Sequence, residues 1–170
     1  MNITINSLLL LYKDDTIKTV IKMQRIDHML YQCLKNSVNI ILEKVIKPTR
    51  KYENVTEIKR EDMIEMKKKY GIGGIILDID GTVKSFSFDV SQETSEWIEL
   101  LKKEFKICLV SNALEERVKK VAEQYDLDYI SFAKKPFRKS FYEASQKMVL
   151  EFENVMVIGN SLTTDILRRK

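Results

Sequence analysis

Apolar positions along the chain follow two regimes that change near residue 71. Before that point Leu30, Cys33, Leu34, Val38, Ile41, Leu42 and Val45 recur at three- and four-residue steps. That spacing paints one apolar stripe on a helix. Lys35, Lys44 and Lys47 flank the stripe, and Pro48 just beyond it is a stop signal. The first 46 residues therefore read as helical, with a second short helix over 59–70 and a Gly-rich break at Gly71, Gly73 and Gly74. After the break, short continuous apolar runs alternate with helical patterns. Strands are expected at 75–77, 107–110, 129–132 and 155–158, with helices at 92–105, 139–152 and 162–168. One more helix carries Leu114, Val118, Val121, Ala122 and Tyr125, with Asn112 as its cap and Glu115 as the reciprocal partner.

Strands separated by helices of this length indicate parallel βαβ units. Uninterrupted apolar strands fit a sheet covered on both faces. The fold class is α/β with a Rossmann-like parallel sheet, divided into a helical extension over 1–46 and a core over 47–170. In such sheets the site lies beyond the carboxyl ends of the strands. The residues there are Asp78 and Asp80, Ser111 and Asn112, Lys134 and Lys135, and Gly159 and Asn160. All are polar or small, as a phosphate and metal site requires.

Composition narrows the picture without changing it. The 170 residues are 44% hydrophobic and 32% charged, the balance of a globular chain. No apolar run nears the roughly 20 residues of a membrane-spanning helix, and the run at 8–11 lacks a preceding basic residue, so it makes a poor signal peptide. Cys33 and Cys108 sit apart among apolar neighbours and read as reduced, buried thiols of a cytoplasmic protein. Residues 1–70 hold 14 Lys/Arg against 9 Asp/Glu, and residues 71–170 hold 15 against 16, so the net +4 comes from the first part. An ordinary solvated surface explains this; a peripheral membrane contact through the amphipathic N-terminal segment is the sharper reading. No nucleic-acid partner is expected.

Asp78 and Asp80 stand two residues apart at a strand end, so both side chains can project to the same side. Two close carboxylates repel each other, and a hard divalent cation such as Mg²⁺ relieves that repulsion. A carboxylate can attack phosphorus to form an aspartyl-phosphate. Its neighbour can protonate the leaving alcohol and then activate water. Gly81 permits a tight turn that the Thr82 hydroxyl can hold. Ser111 offers a hydroxyl to a phosphate oxygen, and a lysine before Pro136 offers charge to the transferring group. Each has a plainer reading: Ser111 and Asn112 as a helix cap, Lys135 as a solvated lysine, Asn160 as a turn residue. Trp97 is expected in the core, and His28, the sole histidine, excludes a His-based metal site.

The run Ile75-Ile76-Leu77-Asp78-Ile79-Asp80-Gly81-Thr82-Val83 resembles the first motif of the haloacid dehalogenase-like superfamily. Leu109-Val110-Ser111-Asn112 is similar to its second motif, and Ala133-Lys134-Lys135-Pro136 to its third, which aligns Lys135 with the phosphate-binding lysine. The stretch from Val157 to Ile166 resembles the fourth. The Thr164-Asp165-Ile166 ending, with Lys47-Pro48, Val55 and Ile58, looks most like the YqeG branch, type IIIA phosphatases related to phosphatidylglycerophosphate phosphatases. The resemblance covers roughly residues 40–170 and leaves 1–39 unmatched. It implies a Mg²⁺-dependent hydrolase of phosphate monoesters working through an aspartyl-phosphate. Asp78 and Asp80 would be catalytic, Ser111, Asn112 and Lys135 phosphate-binding, and Asp78, Asp80, Asn160 and Asp165 metal-binding. A small phosphorylated molecule or a phospholipid headgroup phosphate, such as that of phosphatidylglycerophosphate, would be the substrate.

Two departures from the pattern matter. Asn160 stands where a metal-binding Asp is usual, and only twelve residues follow Ile158, where the family adds a further strand. The chain thus reads as cut short, with 155–158 left as an open edge prone to association unless the segment 3–11 fills it. The spacing between motifs leaves no room for a cap domain. The rival reading is a catalytically weak binding or assembly module that kept the fold, favoured by Asn160 and opposed by intact Asp78, Asp80 and Lys135. A mutase or other phosphotransferase shares the aspartyl-phosphate step, but the lack of a cap to exclude water argues against it.

Overall fold

A computed structural model describes residues 3–6, 50–84, 89–161 and 164–165. Among the described residues six strands form one sheet: β1 (Ile3–Asn6), β2 (Arg50–Tyr52), β3 (Gly74–Leu77), β4 (Lys106–Val110), β5 (Asp128–Ile130) and β6 (Val155–Gly159). The spatial order is β2-β1-β6-β3-β4-β5. Strands β3 to β6 are mutually parallel where they pair, and β1 runs antiparallel to both β6 and β2. Among the described residues four α-helices flank the sheet: α1 (Arg60–Tyr70), α2 (Gln92–Lys102), α3 (Glu115–Tyr125) and α4 (Arg138–Lys147).

The strand sequences explain the layering. Along a strand successive side chains face opposite ways. Ile75 and Leu77, with Ile107, Leu109, Met156 and Ile158, share one core with Met63 and Met66 of α1, Trp97, Ile98 and Leu101 of α2, and Val118 and Val121 of α3. Ile76, Cys108, Val110, Val155 and Val157 face the other way, onto Phe141 and Ala144 of α4 and onto Met148 and Phe152. Trp97 is a core residue as expected, its indole N–H donating to the Ile58 carbonyl at 3.0 Å. Cys108 is buried and free, its thiol pushed up to about 12 by burial; Cys33 lies outside the described residues.

Helix ends follow local chemistry. The acids Glu61 and Asp62 open α1 and three lysines close it, each sign suited to its end of the helix dipole. Gly71 ends it in the left-handed region at φ 66°. Ser91 caps α2 by accepting from the Thr94 N–H at 3.2 Å. Several sequence boundaries need correction. Strand β5 stops at Ile130, because Phe132 has φ 46° and cannot continue a strand. Helix α4 stops at Lys147, two residues before Val149 at φ 53°. Asn112 does not cap α3: Leu114 holds the cap position without a side-chain bond.

The largest correction concerns the first residues. Ile3–Asn6 is a strand, not helix, and it pairs with β6 through Thr4↔Gly159, Ile5↔Ile158 and Asn6↔Val157. The edge expected to lie open is therefore covered, by the N-terminal segment named as the candidate. The physical reason for expecting association goes with it. The new edges are three-residue strands, β2 with Arg50 and Lys51 and β5 with Asp128, short and charged as protected edges are. The apolar stripe over 30–45, the helix over 162–168 except Thr164 and Asp165, and most of the 1–46 extension lie outside the described residues.

This arrangement predicts the effect of deleting residues 1–6. The outer ladder groups of β6 would lose their partners, and the chain should shift from monomer toward concentration-dependent association in size-exclusion chromatography. An unchanged monomer at high concentration would show that β1 does not protect this edge.

Candidate active site

Strand β3 sits between β4 and β6, and the chain reverses direction across the sheet there: β4 and β5 follow on one side, β6 on the other. The carboxyl end of β3 is thus the switch point where α/β sheets bind ligands. Asp78 occupies it. Its N–H donates to Ile158 O at 3.0 Å, which continues the β3–β6 ladder and fixes the residue. The turn that follows folds on the Ile79 carbonyl, which accepts from the N–H groups of Thr82, Val83 and Lys84. Gly81, at φ 79°, makes this turn possible. The turn brings the Thr82 hydroxyl back to donate to Asp78 Oδ2 at 3.2 Å.

Lys135 reaches the same carboxylate from the loop after β5. Its Nζ donates to Asp78 Oδ1 at 2.5 Å and to Asp165 Oδ1 at 2.6 Å. All three side chains are buried, with exposures of 4% for Lys135, 9% for Asp78 and 1% for Asp165. Two carboxylates share one cation, so with both acids ionised the cluster would carry a net negative charge away from water. Burial, followed by the neighbouring Asp165, pushes the Asp78 carboxyl well above the usual carboxylate range, although Lys135 opposes this. Burial works against the Lys135 charge, but Asp165 and Asp78 outweigh it and hold the ammonium above its ordinary value.

Other groups hold these three in place. Asn112 spends both its polar atoms on Lys135: Oδ1 accepts from the Lys135 N–H at 2.7 Å and Nδ2 donates to its carbonyl at 3.3 Å. Asn112 therefore positions the lysine loop. Ser111, at the end of β4, is 2% exposed, and its Oγ accepts from Ala113 N at 3.1 Å, which leaves the hydroxyl hydrogen to donate. Asp165 Oδ2 accepts from Ser161 N at 3.0 Å. Its close approach requires Gly159, since a Cβ there would lie 2.6 Å from Asp165 Cγ.

Asp80 sits closer to solvent. Its carboxylate Oδ1 accepts from Arg117 Nη2 at 2.8 Å, and its main-chain carbonyl accepts from Asn160 Nδ2 at 3.2 Å. The site residues named from sequence thus converge: Asp78 and Asp165 both bond Lys135, Asn112 braces Lys135, and Asn160 meets the Asp80 main chain. Sequence reasoning missed Arg117. It lies in a charged run, Glu115-Glu116-Arg117-Val118-Lys119-Lys120, that reads as a solvated helix face.

Among the described residues no three His, Cys, Asp or Glu side chains gather into a metal site by themselves. The oxygen donors nevertheless suit Mg²⁺, which takes one or two carboxylates and completes its shell with waters and phosphate oxygens. They are the Asp78 carboxylate, the Asp80 carbonyl and the Asn160 amide, beside a buried cluster short of positive charge. Asp165 accepts from Lys135 Nζ and from Ser161 N, so it also anchors the lysine at the edge of the site. No described helix is long and apolar enough to cross a membrane.

No family model matches the chain. The protein "Probable phosphatase YqeG" of Bacillus subtilis (strain 168) is 33% identical over 129 residues, covering 75% of this chain and 73% of its own. A Vibrio cholerae protein assigned as a 3-deoxy-D-manno-octulosonate 8-phosphate phosphatase is 12% identical, with TM-score 0.41, over 53% of this chain and 56% of that structure. A Legionella pneumophila protein assigned to subfamily III A of the HAD superfamily hydrolases is 15% identical, with TM-score 0.41, over 57% of this chain and 62% of that structure. The chain thus spans less than two thirds of either solved structure. With 33% identity over 129 residues, covering most of both chains, to the Bacillus subtilis protein, the chain belongs to the YqeG family.

Proposed function

We propose that this protein hydrolyses a phosphate monoester in a Mg²⁺-dependent reaction, through an aspartyl-phosphate on Asp78. The observation that carries the reading is the buried Asp78 carboxylate at the carboxyl end of β3, held by Lys135 and Thr82, with a second acid two residues on. An Asp78 oxygen attacks phosphorus while the bond from phosphorus to the leaving oxygen breaks and Asp80 gives that oxygen its proton. Asp80, now ionised, takes a proton from water as the water attacks phosphorus. The bond to Asp78 breaks, phosphate leaves, and both acids return to their starting forms. Lys135 and the Ser111 hydroxyl stabilise the charge on the equatorial oxygens during both steps. Bound Mg²⁺, held by Asp78, the Asp80 carbonyl and Asn160, would supply the positive charge that keeps Asp78 ionised despite its burial.

The segments between β3 and α2 and between β4 and α3 are too short to hold a cap domain. An open site suits a bulky substrate, and a phospholipid headgroup phosphate fits that description; a peripheral membrane contact through the N-terminal segment would suit it too. Phosphate release from a panel of phosphorylated lipids and metabolites, with Mg²⁺ and with a chelator, tests the proposal. Release that persists unchanged in the chelator, or absence of release from every substrate, contradicts it.

Asn160 offers a neutral oxygen where a carboxylate would bind a cation harder. Asn160→Asp is expected to tighten Mg²⁺ binding by roughly tenfold, as one added charged ligand strengthens a hard-ion site. Calorimetric titration with Mg²⁺ alone measures it. Equal or weaker affinity would place Asn160 outside the ion's reach.

A further inference from the structure

We infer that Arg117 is a positioning residue for proton transfer, aiming the Asp80 carboxyl group at the leaving-group oxygen. The inference rests on the phosphatase reading and deepens it. Arg117 is the third residue of α3, and its N–H bonds to Leu114 O at 3.1 Å, so the side chain starts from a fixed helical turn. Its guanidinium meets Asp80 Oδ1 at 2.8 Å across 37 residues of sequence. The Asp80 main chain is held independently of it, by Asn160 at the carbonyl and by the turn in which Gly81 N donates to Lys84 O at 2.7 Å. Loss of Arg117 would therefore leave the turn in place and free the carboxylate to rotate.

Magnitudes separate this role from a structural one. Arg117 is 44% exposed and Asp80 18%, and an ion pair so open to water adds little to stability. Aiming is a different matter, because a displacement of about 1 Å in a reacting group can cost ~10²-fold in rate. The contact therefore matters mainly where Asp80 must meet an oxygen at a set distance. That need depends on the leaving group: an alkoxide requires protonation as it departs, whereas a nitrophenolate departs largely without it.

The test compares kcat/KM for p-nitrophenyl phosphate and glycerol phosphate, since this ratio reports steps up to phosphoenzyme formation. Arg117→Ala should lose about 10²-fold more with glycerol phosphate than with p-nitrophenyl phosphate. Arg117→Lys should restore part of that difference, and thermal unfolding should shift little. In an Asp80→Asn background, which should itself show the leaving-group preference, Arg117→Ala should add nothing further. Equal losses on both substrates would place Arg117 on the phosphoryl group and overturn the inference. So would a leaving-group effect that persists undiminished in the Asp80→Asn background. If Asp80→Asn alone shows no leaving-group preference, the acid–base assignment falls and this inference with it.

Discussion

Asp78→Asn is expected to lower turnover by at least ~10⁴-fold, the scale on which loss of a covalent nucleophile is felt. An amide oxygen does not attack phosphorus effectively, and no other described carboxylate occupies its place at the end of β3. Asp165 is 1% exposed and lies in the segment after β6, and Asp80 faces Arg117. The fold should survive, because the substitution relieves a cluster in which two buried acids share one lysine. Thermal unfolding in the absence of metal should be equal to or higher than that of the parent. Phosphate release by the Asn variant at a rate comparable to the parent would remove Asp78 from the nucleophile's role.

Lys135→Met should cost both activity and stability. The methionine fills a similar volume but leaves Asp78 and Asp165 facing each other with no cation between them. Breaking a buried ion pair from one side typically costs ~3–5 kcal/mol. Acidification should recover part of the loss, since protonation of Asp78 removes the repulsion. The sign is fixed by burial: the folded-state pKa of Asp78 lies above its unfolded value, so its ionisation costs stability as pH rises from the ordinary carboxylate range toward the folded value. Denaturant unfolding at several pH values measures both effects. A Met variant as stable as the parent at neutral pH would show that the triad is not a closed, dry cluster.

The core strands and their terminal residues were legible because parallel strands buried on both faces read as unbroken apolar runs. The runs ending at Leu77, Val110 and Ile158 each lead into polar residues, and the strand-end rule brings those together. Long-range features were not legible. Ile3–Asn6 pairs with a strand some 150 residues away; the need to cover that edge points to the segment 3–11, but its local apolar pattern reads as helix. Asn112 carries the side chain of a helix cap, and only the return of the 131–137 loop against β4 turns it toward Lys135. Arg117 is indistinguishable in sequence from the solvated charges beside it. The reading of Gly159 as a small residue at a phosphate site was incomplete, since its lack of a side chain makes room for Asp165.

The central claim, that Asp78 carries the phosphoryl group, is tested most directly by trapping it. The Asp80→Asn variant, impaired in activating water, is mixed with Mg²⁺ and p-nitrophenyl phosphate, quenched in acid and digested for mass spectrometry. The account predicts one phosphoryl group on the peptide containing Asp78, removed by hydroxylamine as an acyl phosphate is, and absent when Asp78 is also replaced by Asn. A phosphoryl group on any other residue, or none on a variant that still releases a stoichiometric burst of nitrophenol, would contradict it.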